Sequence, residues 1–197
     1  MEKSIAGEFK IVEEPKNTLA MNPKKFAMWL FIGSVVMLFA SLTSAYIVRQ
    51  AEGNWLYFEL PGILTISTIV ILLSSVTMQW AYWFAKKDNL RLVKMLVSIT
   101  TLLGAIFLVL QFFGWQDLVN KQVYLVGNPS GSFLYVITGL HGVHIISAMV
   151  FLIIVLVSTF QYKVHAKSLL KIEMCTTYWH FLGGLWLYLF VFLLLYR

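Results

Sequence analysis

Thr138-Gly139-Leu140-His141-Gly142-Val143-His144 and, nearer the C-terminus, Glu173 followed by Tyr178-Trp179-His180-Phe181-Leu182-Gly183-Gly184-Leu185-Trp186 lie in two long apolar runs of a 197-residue chain. Three of its four histidines fall there, together with a carboxylate. An ionisable side chain inside a bilayer is costly and marks a functional or partner-bound position. What these groups bind depends on the medium around them.

That medium is lipid. The chain is 59% hydrophobic and 12% charged, against about 25% charged in soluble domains. Its mean hydropathy is +0.79. Apolar runs recur at lengths that exceed the ~20 residues needed to cross a ~30 Å hydrocarbon core. The expected fold is therefore all-α, a polytopic membrane bundle of five transmembrane helices. Spans are predicted at about 25–49, 60–84, 91–115, 131–161 and 171–196, after a polar tail at 1–24. The fourth is long and is expected to tilt or project. Glu8, Glu13 and Glu14 interrupt the basic start, so a cleavable signal pattern is not expected. The single cysteine, Cys175, excludes an internal disulfide and reads as a small core residue.

The loops orient the bundle. Twelve of the 15 Lys and Arg residues fall on one side: five before the first span, then Lys86, Lys87, Arg91 and Lys94, then Lys163, Lys167 and Lys171. Arg49, Lys121 and Arg197 fall on the other. Positive residues stay cytoplasmic, so the N-terminus is expected inside and the C-terminus outside, which requires an odd number of spans. The +6 net charge reflects this placement and implies no nucleic-acid partner. Trp55, Tyr57, Trp80, Tyr82, Trp83, Trp115, Tyr124 and Tyr196 flank the spans as an interfacial belt.

Within the membrane, His141 and His144 are three apart and share a face, with Thr138 one turn earlier. Glu173 and His180 are seven apart on the last span, as are Trp179 and Trp186. At ~1.5 Å per residue, His144 and His180 come to similar depths on antiparallel neighbours. If the two stripes face each other, His141, His144, Glu173 and His180 form one hydrogen-bonded cluster, which offsets their burial. Gln111 is a lone amide that needs a partner in the bundle. Span 2 offers a small, hydroxyl-bearing face in Ser74-Ser75-Val76-Thr77-Met78-Gln79-Trp80.

Three readings of the cluster compete. Histidines on facing helices could hold a haem or metal, with Gly139, Gly142, Gly183 and Gly184 leaving room. Histidines with Glu173 could relay protons in a transporter. The favoured reading is structural: the groups tie helices together and meet lipid headgroups or another subunit, and the glycines allow close packing. His165, in the basic loop, reads as solvated. No phosphate loop, nucleophile elbow, Cys-x-x-Cys or facing carboxylate pair is present, so a catalytic centre is not expected in this chain.

Several stretches resemble one family. Thr138 to His144 resembles the TG-(F/L)-HG-x-H signature of cytochrome c oxidase subunit III. Tyr178-Trp179-His180-Phe181 with Trp186 resembles its YWHFVDVVW signature, and Glu173 stands at the matching upstream carboxylate. Leu72 to Thr77 with Trp80-Ala81, and Gly104 to Gln111, resemble further stretches of the same family. Five spans match its shorter bacterial forms. The resemblance implies a non-catalytic subunit of a haem–copper terminal oxidase in a bacterial cytoplasmic membrane, in a complex that passes electrons from cytochrome c or quinol to dioxygen and pumps protons. It implies haems and copper in partner subunits and none in this chain. It implies packing on subunit I, contact with subunit II and small subunits, membership of a larger respiratory assembly in some cases, and bound phospholipid. Thr138, His141, His144, Glu173, Tyr178, Trp179 and His180 are then expected to form the lipid-binding or structural polar cluster. A b-type cytochrome subunit and a proton-coupled transporter are the alternatives. Family carboxylates are replaced here by Val35, Gly114 and Gly183, which removes any role resting on them.

Overall fold

The structure, a computed structural model, describes residues 22–161 and 169–196. Most of the N-terminal tail, Lys163, His165, Lys167 and Arg197 lie outside the described residues. Five helices follow in order: α1 (Pro23–Ala51), α2 (Gly62–Lys86), α3 (Leu90–Asn120), α4 (Pro129–Phe160) and α5 (Leu170–Leu195). All five are long and apolar enough to cross a membrane. A bilayer leaves no water for backbone groups, so each span must satisfy its own amides, and the helix does so.

Asparagines start three of them. Asn22 accepts from the Lys24 amide at 3.0 Å, Asn89 from Leu92 at 3.4 Å and Asn128 from Ser130 at 2.9 Å. Each satisfies one of the orphan donors of a first turn. Pro23 and Pro129 occupy that turn in α1 and α4, where a missing N–H is harmless. This cap starts α4 at Pro129, two residues before the expected edge. Asn128 also holds the α1–α2 connection, accepting from Leu56 N at 3.3 Å and donating to Asn54 O at 3.2 Å. The largest departure is at the end of α3, which runs on to Asn120. Its last turn carries the Lys121–Asp117 ion pair at 3.4 Å.

Helices α2, α3, α4 and α5 pack in a ring, each touching the next, with α5 closing on α2. Helix α1 lies outside the ring against α4 and α5. The ring interior holds Ile71, Met78, Phe107, Ile145, Leu152, Trp179, Leu182 and Trp186. A second cluster of Val35, Phe39, Tyr46, Ile137, Leu189 and Phe192 fixes α1 to its two neighbours. Large apolar side chains such as Met37, Leu102 and Val143 point outward, as lipid-facing positions do.

Of the signature glycines only Gly183 sits at a close helix approach, and the tightest of the interhelical ones is at Gly104. A Cβ on Gly104 would meet Met149 Sδ at 2.6 Å and the Trp179 ring at 2.7 Å. One on Gly142 or Gly184 would meet nothing within 4 Å, and one on Gly139 only the edge of Trp115 at 3.8 Å.

Candidate functional site: the intramembrane polar groups

The two tryptophans of α5 are the best-anchored polar groups. Both point into the ring, as their spacing of seven implies. Trp179 Nε1 donates to Ser74 Oγ and Trp186 Nε1 to Thr68 Oγ1, each at 3.0 Å. Ser74 and Thr68 lie on one face of α2 and donate in turn to their own helix, to Ile71 O and Leu64 O. A buried indole needs such a partner. Gln111 finds its partner on the same helix, donating through Nε2 to Ser67 Oγ at 2.8 Å. Thr77 and Thr100 link α2 to α3 at 2.8 Å.

The histidines and Glu173 do not form one cluster. His180 Nε2 lies 2.9 Å from Gln79 Oε1 on α2. Glu173 accepts from Lys25 Nζ on α1 at 2.7 Å. His144 Nδ1 donates back to Leu140 O at 2.8 Å, and its ring packs against Phe31 and Phe39. His141 is 1% exposed and both ring nitrogens lack a hydrogen-bond partner. It sits among aromatic rings instead, 5.2 Å from Trp186 and 6.3 Å from Phe39 and Phe107. The cause is packing order. The ring core fills the space between α4 and α5 with Ile145, Ala148, Leu152, Leu182 and Trp186. Glu173 and His180 of α5 therefore reach sideways to α1 and α2.

Thr138 accepts from Trp115 Nε1 at 3.2 Å and donates to Leu134 O, which joins α4 to α3. Tyr178 meets Ser147 at 2.8 Å and joins α5 to α4. Reasoning from sequence missed Lys25, Ser67, Thr68, Gln79 and Ser147 as partners. The small, hydroxyl-bearing stretch Ser74 to Trp80 of α2 contained Gln79 without marking it as the partner of His180, while Ser67 and Thr68 lie before that stretch and were not singled out.

The positions that depart from the family pattern are packed with neighbours. Val35 is 2% exposed in the α1 contact. A Cβ on Gly114 would lie 3.0 Å from Leu64, and one on Gly183 3.0 Å from Ser75 Oγ. Among the described residues, no group of three or more His, Cys, Asp and Glu side chains is placed to hold a metal ion.

Two further features face outward. An apolar groove of about 550 Å³ runs between α1 and α5, lined by Ile47, Gly184, Leu187, Tyr188, Val191 and Tyr196 among others. Across it the Tyr188 hydroxyl meets Thr43 at 3.0 Å. The second is a groove between α3 and α4.

Residues 54–197 match the family model for cytochrome c oxidase subunit III. The chain is similar to cytochrome c oxidase subunit 3 of Bacillus sp. (strain PS3), 26% identical over 194 residues that cover 96% of this chain and 93% of the relative. It is similar to a probable quinol oxidase subunit 3 of Staphylococcus saprophyticus, 27% identical over 86% of this chain and 87% of the relative. It is also similar to the cytochrome bo(3) ubiquinol oxidase subunit 3 of Buchnera aphidicola, 25% identical over 91% and 95%. Nothing in these matches supports a b-type cytochrome or a transporter. The chain belongs to the cytochrome c oxidase subunit III family, the non-catalytic third subunit of haem–copper oxidases.

Proposed function

We propose that this subunit docks on the large, haem-bearing subunit of its oxidase and keeps lipid between α1 and α5. The match over residues 54–197 carries the reading. The haems and copper are assigned to partner chains. Among the described residues, several intramembrane polar groups tie helices together, in Trp179–Ser74, Trp186–Thr68, His180–Gln79 and Glu173–Lys25. The apolar α1–α5 groove supports the lipid assignment. The relatives named above include both cytochrome c and quinol oxidases, so the electron donor belongs to the complex and not to this chain.

The setting is a bacterial cytoplasmic membrane with the N-terminus inside. Lys86, Lys87, Arg91 and Lys94 at the α2–α3 turn support that orientation. Affinity purification of the tagged chain, with an absorption spectrum and lipid extraction, tests the whole reading. The expected result is co-purification with a haem-bearing large subunit, haem signal that tracks that subunit, and retained phospholipid. A haem spectrum from this chain purified alone, or its isolation without other oxidase subunits, would overturn it.

A further inference from the structure

His144 stands at the seam between α1 and α4, with its ring against Phe31 and Phe39 of α1. It is half-buried, so part of the ring reaches the outside of the bundle. Nδ1 lies 2.8 Å from Leu140 O, and a carbonyl only accepts, so Nδ1 carries the ring proton. Nε2 is then an acceptor. Among the described residues nothing donates to it, and unlike the ring nitrogens of His141 it is not sealed in the core.

The nearby hydroxyl protons are already spent. Ser147 Oγ donates to His144 O at 2.7 Å. The Tyr178 hydroxyl, 2.8 Å from Ser147 Oγ, therefore supplies the proton of that second contact. Neither is left for the ring.

Depth rules out lipid as the donor. His144 lies nine residues, ~13 Å, along α4 from Tyr135, whose ring pairs with the belt residue Trp115. It lies sixteen residues, ~24 Å, from Phe160, where Lys94 sits over the ring at the basic end of the bundle. The imidazole is thus deep in the ~30 Å hydrocarbon core. Acyl chains carry no N–H or O–H, ester oxygens only accept, and the core holds no water. Only another protein segment can bring a donor there. The surroundings agree. Ser34 on α1 and Ser147 on α4 are exposed, each hydroxyl turned back on its own helix. The outward face of α3 carries Leu102, Ile106 and Val109 instead. Small residues let a neighbouring helix approach closely.

We propose that the α1–α4 seam receives a transmembrane helix of the large, haem-bearing subunit, and that this helix brings a side-chain O–H or N–H to His144 Nε2. The inference rests on the reading that the chain docks on that subunit, and it names the face and the group involved. The α1–α5 groove plays no part in it.

The test uses the intact oxidase with a diazirine amino acid in place of Ser147 or, as a control, of Leu102. Adducts are mapped by peptide mass spectrometry after irradiation. Coupling to a transmembrane segment of the large subunit is expected to be at least tenfold higher from position 147 than from position 102. In the unmodified complex labelled with nitrogen-15 histidine, His144 Nε2 is expected to resonate as a hydrogen-bonded acceptor, which packing alone does not produce. His144→Phe keeps an aromatic ring and removes the acceptor. It is expected to weaken retention of this subunit in detergent about three- to tenfold. Adducts from position 147 with lipid, with a second copy of this chain or with a different subunit would overturn the proposal. So would an Nε2 resonance of a free acceptor, or wild-type retention of His144→Phe. In those cases the chain still co-purifies with its oxidase and the docking reading stands. Isolation without the large subunit would overturn both. The adduct map and the resonance decide the matter even if His144→Phe fails to assemble.

Discussion

Trp179 Nε1 donates to Ser74 Oγ at 3.0 Å between two residues that are 1% and 0% exposed. With Trp186–Thr68 two turns further on, this pair closes α5 onto α2 and completes the helix ring. Ser74→Ala leaves a buried indole N–H unpaired, and the expected loss is about 1–2 kcal/mol. Membrane hydrogen bonds average nearer 0.6 kcal/mol when both partners can re-pair, so Ser74→Ala should cost more than Trp179→Phe costs through its hydrogen bond alone. Denaturation of the purified complex, followed by release of this subunit, measures the difference. No change in the Ser74→Ala midpoint would remove the pair from the account of stability.

Gly104→Ala and Gly142→Ala should separate cleanly. The first pushes a methyl into Met149 and into the Trp179 ring, which is held in place by Ser74. Overpacking of this kind costs about 1–3 kcal/mol. The second meets nothing and gains helix propensity, ~1 kcal/mol by water-based scales. Comparative yields of assembled complex and thermal midpoints should fall for Gly104→Ala and hold or rise for Gly142→Ala.

His141 and His180 should respond in opposite ways. His141→Phe replaces an unpartnered buried imidazole, already ringed by Phe39, Phe107 and Trp186, with an apolar ring of similar shape. The expected effect on stability is neutral or a gain of up to about 1 kcal/mol. His180→Ala strands Gln79 and opens a cavity, a loss of about 2 kcal/mol or more. Unfolding midpoints of the two variants test this. Strong destabilisation by His141→Phe would show that its nitrogens have a partner in the assembled complex.

The Lys25–Glu173 pair joins α1 to α5 with side chains 33% and 36% exposed. At that exposure an ion pair contributes about 0–1 kcal/mol and weakens with salt. Glu173→Gln should therefore lower stability by less than ~1 kcal/mol. The swap Lys25→Glu with Glu173→Lys should recover most of the difference. A double-mutant cycle on subunit retention in low and high salt is the measurement.

Helix count and bounds were largely legible. Every span edge fell within a few residues, except the end of α3, where the polar Gln116, Asp117 and Asn120 continue the helix past the apolar run. Trp179 and Trp186 could be placed on one face, and Gln111 was known to need a partner. The cluster of histidines was not legible as built. Periodicity put His141 and His144 on one stripe, yet one is enclosed by aromatic rings and the other bonds to its own backbone. Glycines in the signature suggested tight helix contact; Gly183 makes one, against Ser75, while Gly139, Gly142 and Gly184 do not, and Gly104 and Gly114 outside the signature do.

The sequence alone determined the medium, the number of helices and where each begins, because hydropathy, proline and asparagine caps act within a few residues of themselves. Only the tertiary structure decided which polar groups meet. A helix in a bundle presents several faces to several neighbours, and Lys25 reaches Glu173 across 148 positions only because α1 docks outside the ring against α5. No local signal encodes that order of packing: it emerges when all five apolar surfaces are matched at once.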